Sequence, residues 1–288
     1  MRILVTGGHG QLGTALEEVL KNEETLFTDT DNMDITDKNQ VEKTFVEFKP
    51  EILIHGAALT NVDGCEENAD LAYKINAEGT ANLADECEKN NCLMIYISTD
   101  YVFDGTKKTP YVETDEPNPI NEYGKNKLGG EKAVEKLDNY YILRTSWVYG
   151  GGHNFVRTMI ELAKKMDEIK VVNDQFGRPT YALDLAKAIY DVIKNRPKVG
   201  IYNVTGDGEI ISWAEFAEEI FKIAGFKTKV TGIRSTLVDL KKDINKLLVE
   251  SDLQTNESQK QQYQEVISRK FNTNTSSEGK TYISNFYN

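Results

Sequence analysis

A hydroxyl, a phenol and an ammonium fall within residues 98–131 at spacings that would let one site deliver a proton: Thr99, Tyr123 and Lys127. Tyr123 and Lys127 are four residues apart in a stretch with helical spacing, YGKNKLGGEKAV, which places them on one face. A phenol with an ordinary pKa of about 10 is a poor acid near neutrality. An ammonium held close favours the phenolate and lowers that value, which makes the tyrosine a usable proton donor. Taken alone, Tyr-x-x-x-Lys also describes a solvated helix face, so the surrounding elements must carry the assignment.

Those elements are legible. Ser98 and Thr99 close the apolar run 93–97, which reads as a buried parallel strand, and open α/β sheets bind ligands at the carboxyl ends of their strands. Pro117 and Pro119 precede the helix of Tyr123. At the start of the chain, RILVT runs into GGHGQLG and then a helical pattern through Leu20. Glycines at 7, 10 and 13 give a tight turn, a backbone that can approach a pyrophosphate, and close packing of helix on strand. The phosphates would face the free amides at the helix N-terminus.

A second strand ends at Asp29, an acid placed to accept ribose hydrogen bonds and to disfavour a 2′-phosphate, although an acid in this acidic loop reads equally as a solvated turn. The choice between NADH and NADPH stays open. A third strand, 52–54, flows into His55, Gly56, Ala57, Ala58, Leu59 and Thr60, small residues that let a flat ring or a ribose lie against the backbone. His55 reads as a packing residue at the strand end. Strands and helices alternate throughout, which predicts an α/β fold with a Rossmann-type doubly wound parallel sheet. A further strand over 140–145 leads to a glycine triplet, a helix to about Met166, a strand over 169–172, and a polar loop holding Arg178 and Pro179.

Composition narrows the function classes. The 288 residues carry a formal net charge of −12, so the surface would repel nucleic acid and anionic membranes, and a phosphate ligand must be held locally. No apolar stretch reaches transmembrane length, and Met1 leads into a strand with no signal-peptide pattern. Cys65, Cys87 and Cys92 are an odd set without metal-ligand spacing, and His9 and His153 do not group with acids in a metal pattern. We expect a cytoplasmic protein with reduced thiols and no metal.

Together, the glycine loop, AALTNVD at 57–63, STDYVFDG at 98–105, YGKNKLGGE at 123–131, RTSWVYG at 144–150, NF at 154–155 and DQFGRPT at 174–180 resemble the extended short-chain dehydrogenase/reductase superfamily. Within it they most resemble the dTDP-4-dehydrorhamnose reductase family. The resemblance implies Thr99, Tyr123 and Lys127 as catalytic hydroxyl, proton donor and lysine. It implies Gly7, Gly10, Gln11, Leu12 and Gly13 at the cofactor pyrophosphate, Asp34 and Ile35 at the adenine, and Ala57, Ala58 and Thr60 beside the nicotinamide, with Tyr123 and Lys127 also touching the cofactor. Val62, Asp63, Tyr101, Trp147, Asn154 and Gln175 would belong to a nucleotide-sugar pocket. The implied reaction is hydride delivery from NADPH or NADH to the keto carbon of a deoxysugar, and a homodimer is the implied assembly. Nucleotide-sugar dehydratases of the superfamily carry an acid pair after the threonine, whereas here Asp100 is followed by Tyr101, which fits reduction better than elimination.

The expected domains are a dinucleotide-binding domain over 1–150 with returning segments near 169–204, a smaller substrate lobe over 151–250, and a polar tail over 251–288. The chain departs from the family pattern after about Gly225. Leu237, Leu240, Ile244 and Leu247 predict a helix, with Thr236 and Asp239 as a capping box. This departure leaves open a second reading, a cofactor-binding regulatory or scaffold protein of the same fold without turnover.

Overall fold

The computed structural model of the protein describes residues 1–236. The helix expected over 237–247 and the polar stretch 251–288 lie outside the described residues. Among the described residues two compact units are formed, the first from Met1–Asn154 with Arg178–Glu209, the second from Phe155–Gly177 with residues 210–236.

The first unit runs β1 (Arg2–Thr6), α1 (Gln11–Val19), β2 (Glu24–Thr28), α2 (Lys38–Phe48), β3 (Ile52–His55), α3 (Val62–Glu67), α4 (Ala69–Tyr73), α5 (Thr80–Asn90), β4 (Leu93–Thr99), α6 (Glu122–Val134) and β5 (Tyr140–Thr145). A last strand, Gly200–Asn203, completes a six-stranded sheet in which it lies beside β5, followed by β4, β3, β1 and β2. Every pairing is parallel. Such a sheet must be covered on both faces, which is why its strands read as continuous apolar runs. One cover is the cluster of Phe45, Leu83 and Val134 from α2, α5 and α6; the other is Leu16 of α1 with Leu185 and Ile189 of the helix Ala182–Asn195. The doubly wound sheet expected from the alternation is the one observed.

The strand order reverses between β1 and β3, because the chain goes from β1 to β2 on one side and returns to β3 on the other. The crevice beyond the carboxyl ends of these two strands is the ligand position of an open α/β sheet. Both small-residue loops of the sequence, 7–13 and 56–60, start there.

One element was not anticipated. Between α4 and α5 the helix widens to a π-helical turn, Lys74–Gly79, a local irregularity common at functional sites.

The second unit has its own core of Met159, Ile169, Val171, Ala217 and Phe221. Its strand Glu168–Val172 pairs in parallel with Lys229–Ile233, and its helix Trp213–Ala224 opens on a capping box between Ser212 and Glu215. Strand 168–172 therefore belongs here and not with the large sheet. The chain returns to the first unit at Arg178, later than the residue near 169 expected from the sequence.

Candidate active site

The glycine loop is built as its spacing requires. Gly7 adopts φ +74°, and a Cβ there would meet the backbone of Ala57 at 2.8 Å. A Cβ on Gly13 would run into the carbonyl oxygens of Gly7 and Gly8. The loop thus lies flat on the start of the 57–60 segment and directly under the first turn of α1, whose N-cap is Gly10 with no side-chain cap. Those two features, a cradle closed to side chains and helix amides not engaged by a capping side chain, fit a dinucleotide pyrophosphate. Gln11 opens α1 and donates to the carbonyl of Val148 at 3.4 Å, while Leu12 packs on the core. Asp29 accepts from the amide of His9 at 3.1 Å, so the acid after β2 reaches the glycine loop. Asp34 accepts from the amide of Thr36 at 2.8 Å, and the side chain of Ile35 lies against Gly79.

Segment 57–60 is clamped from the π-helical turn. Asn76 accepts from the amide of Leu59 at 2.8 Å and donates back to its carbonyl at 3.0 Å. Thr80 spends its hydroxyl proton on the carbonyl of Asn76 at 2.7 Å, so its oxygen accepts from Nε2 of His55 at 3.0 Å. Nδ1 of His55 then accepts from the Thr6 hydroxyl at 2.7 Å. His55 is therefore more than packing: it is a neutral, fully buried link joining β1, β3 and α5, with burial holding its pKa well below the usual imidazole range. Ala57 and Ala58 are half-buried on this segment and Thr60 is exposed.

Thr99, Tyr123 and Lys127 come together around the end of β4. All three are buried, at 6%, 9% and 3% exposure. Helix α6 starts after Asn121, which caps it by accepting from the amide of Gly124 at 2.8 Å. A Cβ on Gly124 would strike the carbonyl oxygen of Tyr101, so the first turn of α6 sits on the short turn that follows Thr99. The Thr99 hydroxyl accepts from the amide of Tyr101 at 3.2 Å and donates to Asp100 at 3.0 Å. The rings of Tyr101 and Tyr123 meet edge to face at 5.6 Å, and Val62 packs in the same cluster. The Lys127 ammonium donates to the carbonyl of Ile97 at 2.8 Å and lies 4.1 Å from the Tyr96 ring centroid. Burial pushes its pKa down to about 7, partly offset by Glu131.

Beneath the lysine is a buried charge network that the helical pattern of 123–134 does not announce. Glu131 accepts from Nε of Arg144 at 2.9 Å, from Nη2 at 2.6 Å and from Ser98 at 2.5 Å.

Burial pushes the Asp100 carboxyl up to about 6, against the Thr99 hydrogen bond that favours the anion. A pKa above its unfolded value of 3.8 means that the folded state binds the extra proton between about 3.8 and about 6. The stability from this group is present below that window and lost as pH rises through it. Asp100→Asn, which still accepts from Thr99, is expected to melt higher than wild type at pH 7.5, with the gain vanishing at pH 3.5; thermal melts at the two pH values check this.

The remaining expected pocket residues are placed as follows. Asp63 lies in the first turn of α3, after Asn61 caps it. Trp147 follows β5 with φ 49°, a left-handed conformation that costs a residue of this size on the order of 1–2 kcal/mol. Asn154 is buried and donates to the carbonyls of Gly150 at 3.0 Å and Gly152 at 3.2 Å, which fixes the glycine triplet. Gln175 is exposed in the second unit.

Sheet order, glycine cradle and the helix carrying Tyr123 and Lys127 define a Rossmann-type α/β protein with a reductase-like site. Family comparison takes this further. The family described as RmlD substrate binding domain matches residues 1–274, and the chain belongs to it. The spore coat polysaccharide biosynthesis protein SpsK of Bacillus subtilis is 42% identical over 236 residues, covering 81% of this chain and 82% of that protein. A crystal structure of a dTDP-4-dehydrorhamnose reductase from Clostridium acetobutylicum superposes with a TM-score of 0.79 at 48% identity, covering 82% of this chain and 85% of that one. A dTDP-4-dehydrorhamnose reductase from Bacillus anthracis, solved in complex with NADP, gives 0.78 at 44% identity with the same two coverages, 82% and 85%.

Proposed function

We propose that this protein reduces the 4-keto group of dTDP-4-dehydrorhamnose to give dTDP-L-rhamnose, using NADPH or NADH, with Tyr123 as proton donor. The observation that carries the reading is the convergence of Thr99, Tyr123 and Lys127, all buried, where α6 seats on the end of β4. The names of the relatives agree with it.

A bound reduced nicotinamide supplies the hydride. The chain's own residues do the rest. Gly7, Gly10, Gln11, Leu12 and Gly13 form the loop and helix start that receive the pyrophosphate, Asp34 and Ile35 border the adenine, and Ala57, Ala58 and Thr60 line the nicotinamide side. Lys127 holds the nicotinamide ribose and, as a cation one helical turn from Tyr123, favours the phenolate left after proton transfer. Thr99 orients the sugar oxygen by turning its hydroxyl proton from Asp100 to the keto oxygen, while its own oxygen keeps accepting from the amide of Tyr101. Tyr123 gives its proton to the oxygen that becomes the 4-hydroxyl. Val62, Asp63, Tyr101, Trp147 and Asn154 receive the nucleotide sugar. Asp100 stands alone where a dehydratase has an acid pair, so the site has one proton donor and no second acid for eliminating water. Cys65, Cys87 and Cys92 are free thiols, in keeping with a reducing cytoplasm.

The test is absorbance of NADPH and of NADH incubated with enzymatically generated dTDP-4-dehydro-L-rhamnose. Loss of the reduced cofactor only when the sugar nucleotide is present is expected. Cofactor binding with no turnover would overturn the proposal in favour of a regulatory protein of this fold.

A further inference from the structure

Three successive residues of β4 fasten α6. Tyr96 donates its hydroxyl to the carbonyl of Lys127 at 3.3 Å, Ile97 offers its carbonyl to the Lys127 ammonium, and Ser98 donates to Glu131. Helix and strand approach so closely that a Cβ on Gly130 would collide with the Tyr96 hydroxyl. This approach is what brings the ammonium over the Tyr96 ring, 4.1 Å from its centroid and well within cation–π range.

The groups facing Lys127 leave few that could hold its charge. On its own helix are Tyr123 and Glu131, and Glu131 favours the ammonium but spends its hydrogen bonds on Arg144 of β5 and Ser98. His55 of β3 lies near enough to feel the lysine and is uncharged. From β4 come the Ile97 carbonyl and the face of Tyr96. We propose that Tyr96 is a positioning residue for the reductase, its ring face being the seat that keeps Lys127 in place as an ammonium. The inference rests on the role given to Lys127 above. Tyr96 itself is fully buried beneath the lysine, stacked on His55 at 5.3 Å, and acts only through Lys127.

The experiment replaces ring electrons without changing ring shape. Tyr96→Phe is prepared, and then p-fluorophenylalanine and 3,4,5-trifluorophenylalanine are incorporated at the same position. Each fluorine withdraws electron density from the ring face while the packing stays nearly constant, and thermal melts verify the fold. The readout is the titration of Lys127 in cofactor-free protein, followed by NMR of lysine labelled with 13C and 15N and assigned by its absence in Lys127→Met. The midpoint is expected to stay close to wild type in Tyr96→Phe and to fall stepwise with fluorination, by about one pH unit over the series. A midpoint indifferent to fluorine would overturn the proposal and leave the Ile97 carbonyl as the seat. Turnover assayed in parallel separates the two readings, since an inactive wild type refutes the reductase while the lysine titration still decides the part played by Tyr96.

Discussion

Tyr123→Phe is expected to lower kcat by about 10²- to 10⁴-fold, the usual worth of a positioned general acid, while cofactor affinity and melting temperature stay near wild type. The ring of Tyr123 packs with Cys65, Ala72 and the edge of Tyr101, and phenylalanine keeps all of those contacts. Only the acidic hydroxyl goes. Its loss removes the group that protonates the new alkoxide, and water would have to enter a site whose other members, Thr99 and Lys127, are themselves buried. Steady-state turnover with the sugar nucleotide, alongside fluorescence titration of NADPH, makes the measurement. A variant that binds cofactor normally and turns over within a factor of about three of wild type would remove Tyr123 from the mechanism.

How much of this was legible before the structure depends on how local each cause is. The glycine loop has a local cause, because positive φ at Gly7 and contact of Gly13 with the preceding carbonyls are demands on single positions in one turn. Tyr123 and Lys127 share a face by helical geometry alone. The clamp on residues 57–60 was not legible, since Asn76 acts from a π-helical turn that no periodicity announces. His55 looked like packing because its two hydroxyl partners, Thr6 and Thr80, come from β1 and the start of α5. The pairing of Glu168–Val172 with Lys229–Ile233 joins strands from distant parts of the sequence, and an apolar run carries no label for its partner. Glu131 reads in sequence as a solvated helix residue. Two signals could have exposed it: the pair Gly129 and Gly130 inside a helix, which costs stability unless a neighbour must come close, and a charged Arg144 in the otherwise apolar strand YYILRT.

That buried pair carries the largest expected effect on folding. Glu131 and Arg144 have side chains exposed by only 1% and 3%, and the carboxylate takes the guanidinium through two hydrogen bonds, from Nε and Nη2. Glu131→Gln preserves shape and leaves the guanidinium charged, so its cost is that of an uncompensated buried cation, about 3–5 kcal/mol. A domain has roughly 5–15 kcal/mol in total, so this one amide is expected to bring the protein close to unfolding at 37 °C. The Phe103 ring, 5.0 Å from the guanidinium, offsets little of that loss. The double variant Glu131→Met with Arg144→Met removes both charges and is expected to recover most of the stability, because the net gain from a buried ion pair over apolar side chains of similar volume is small. It does not restore the Ser98 hydrogen bond, and Ser98 immediately precedes Thr99, so the recovered protein should still turn over more slowly than wild type. Urea unfolding followed by circular dichroism, with turnover on the same samples, checks both halves. Stability of Glu131→Gln within about 1 kcal/mol of wild type would mean that water reaches Arg144 and that the pair is no anchor for α6.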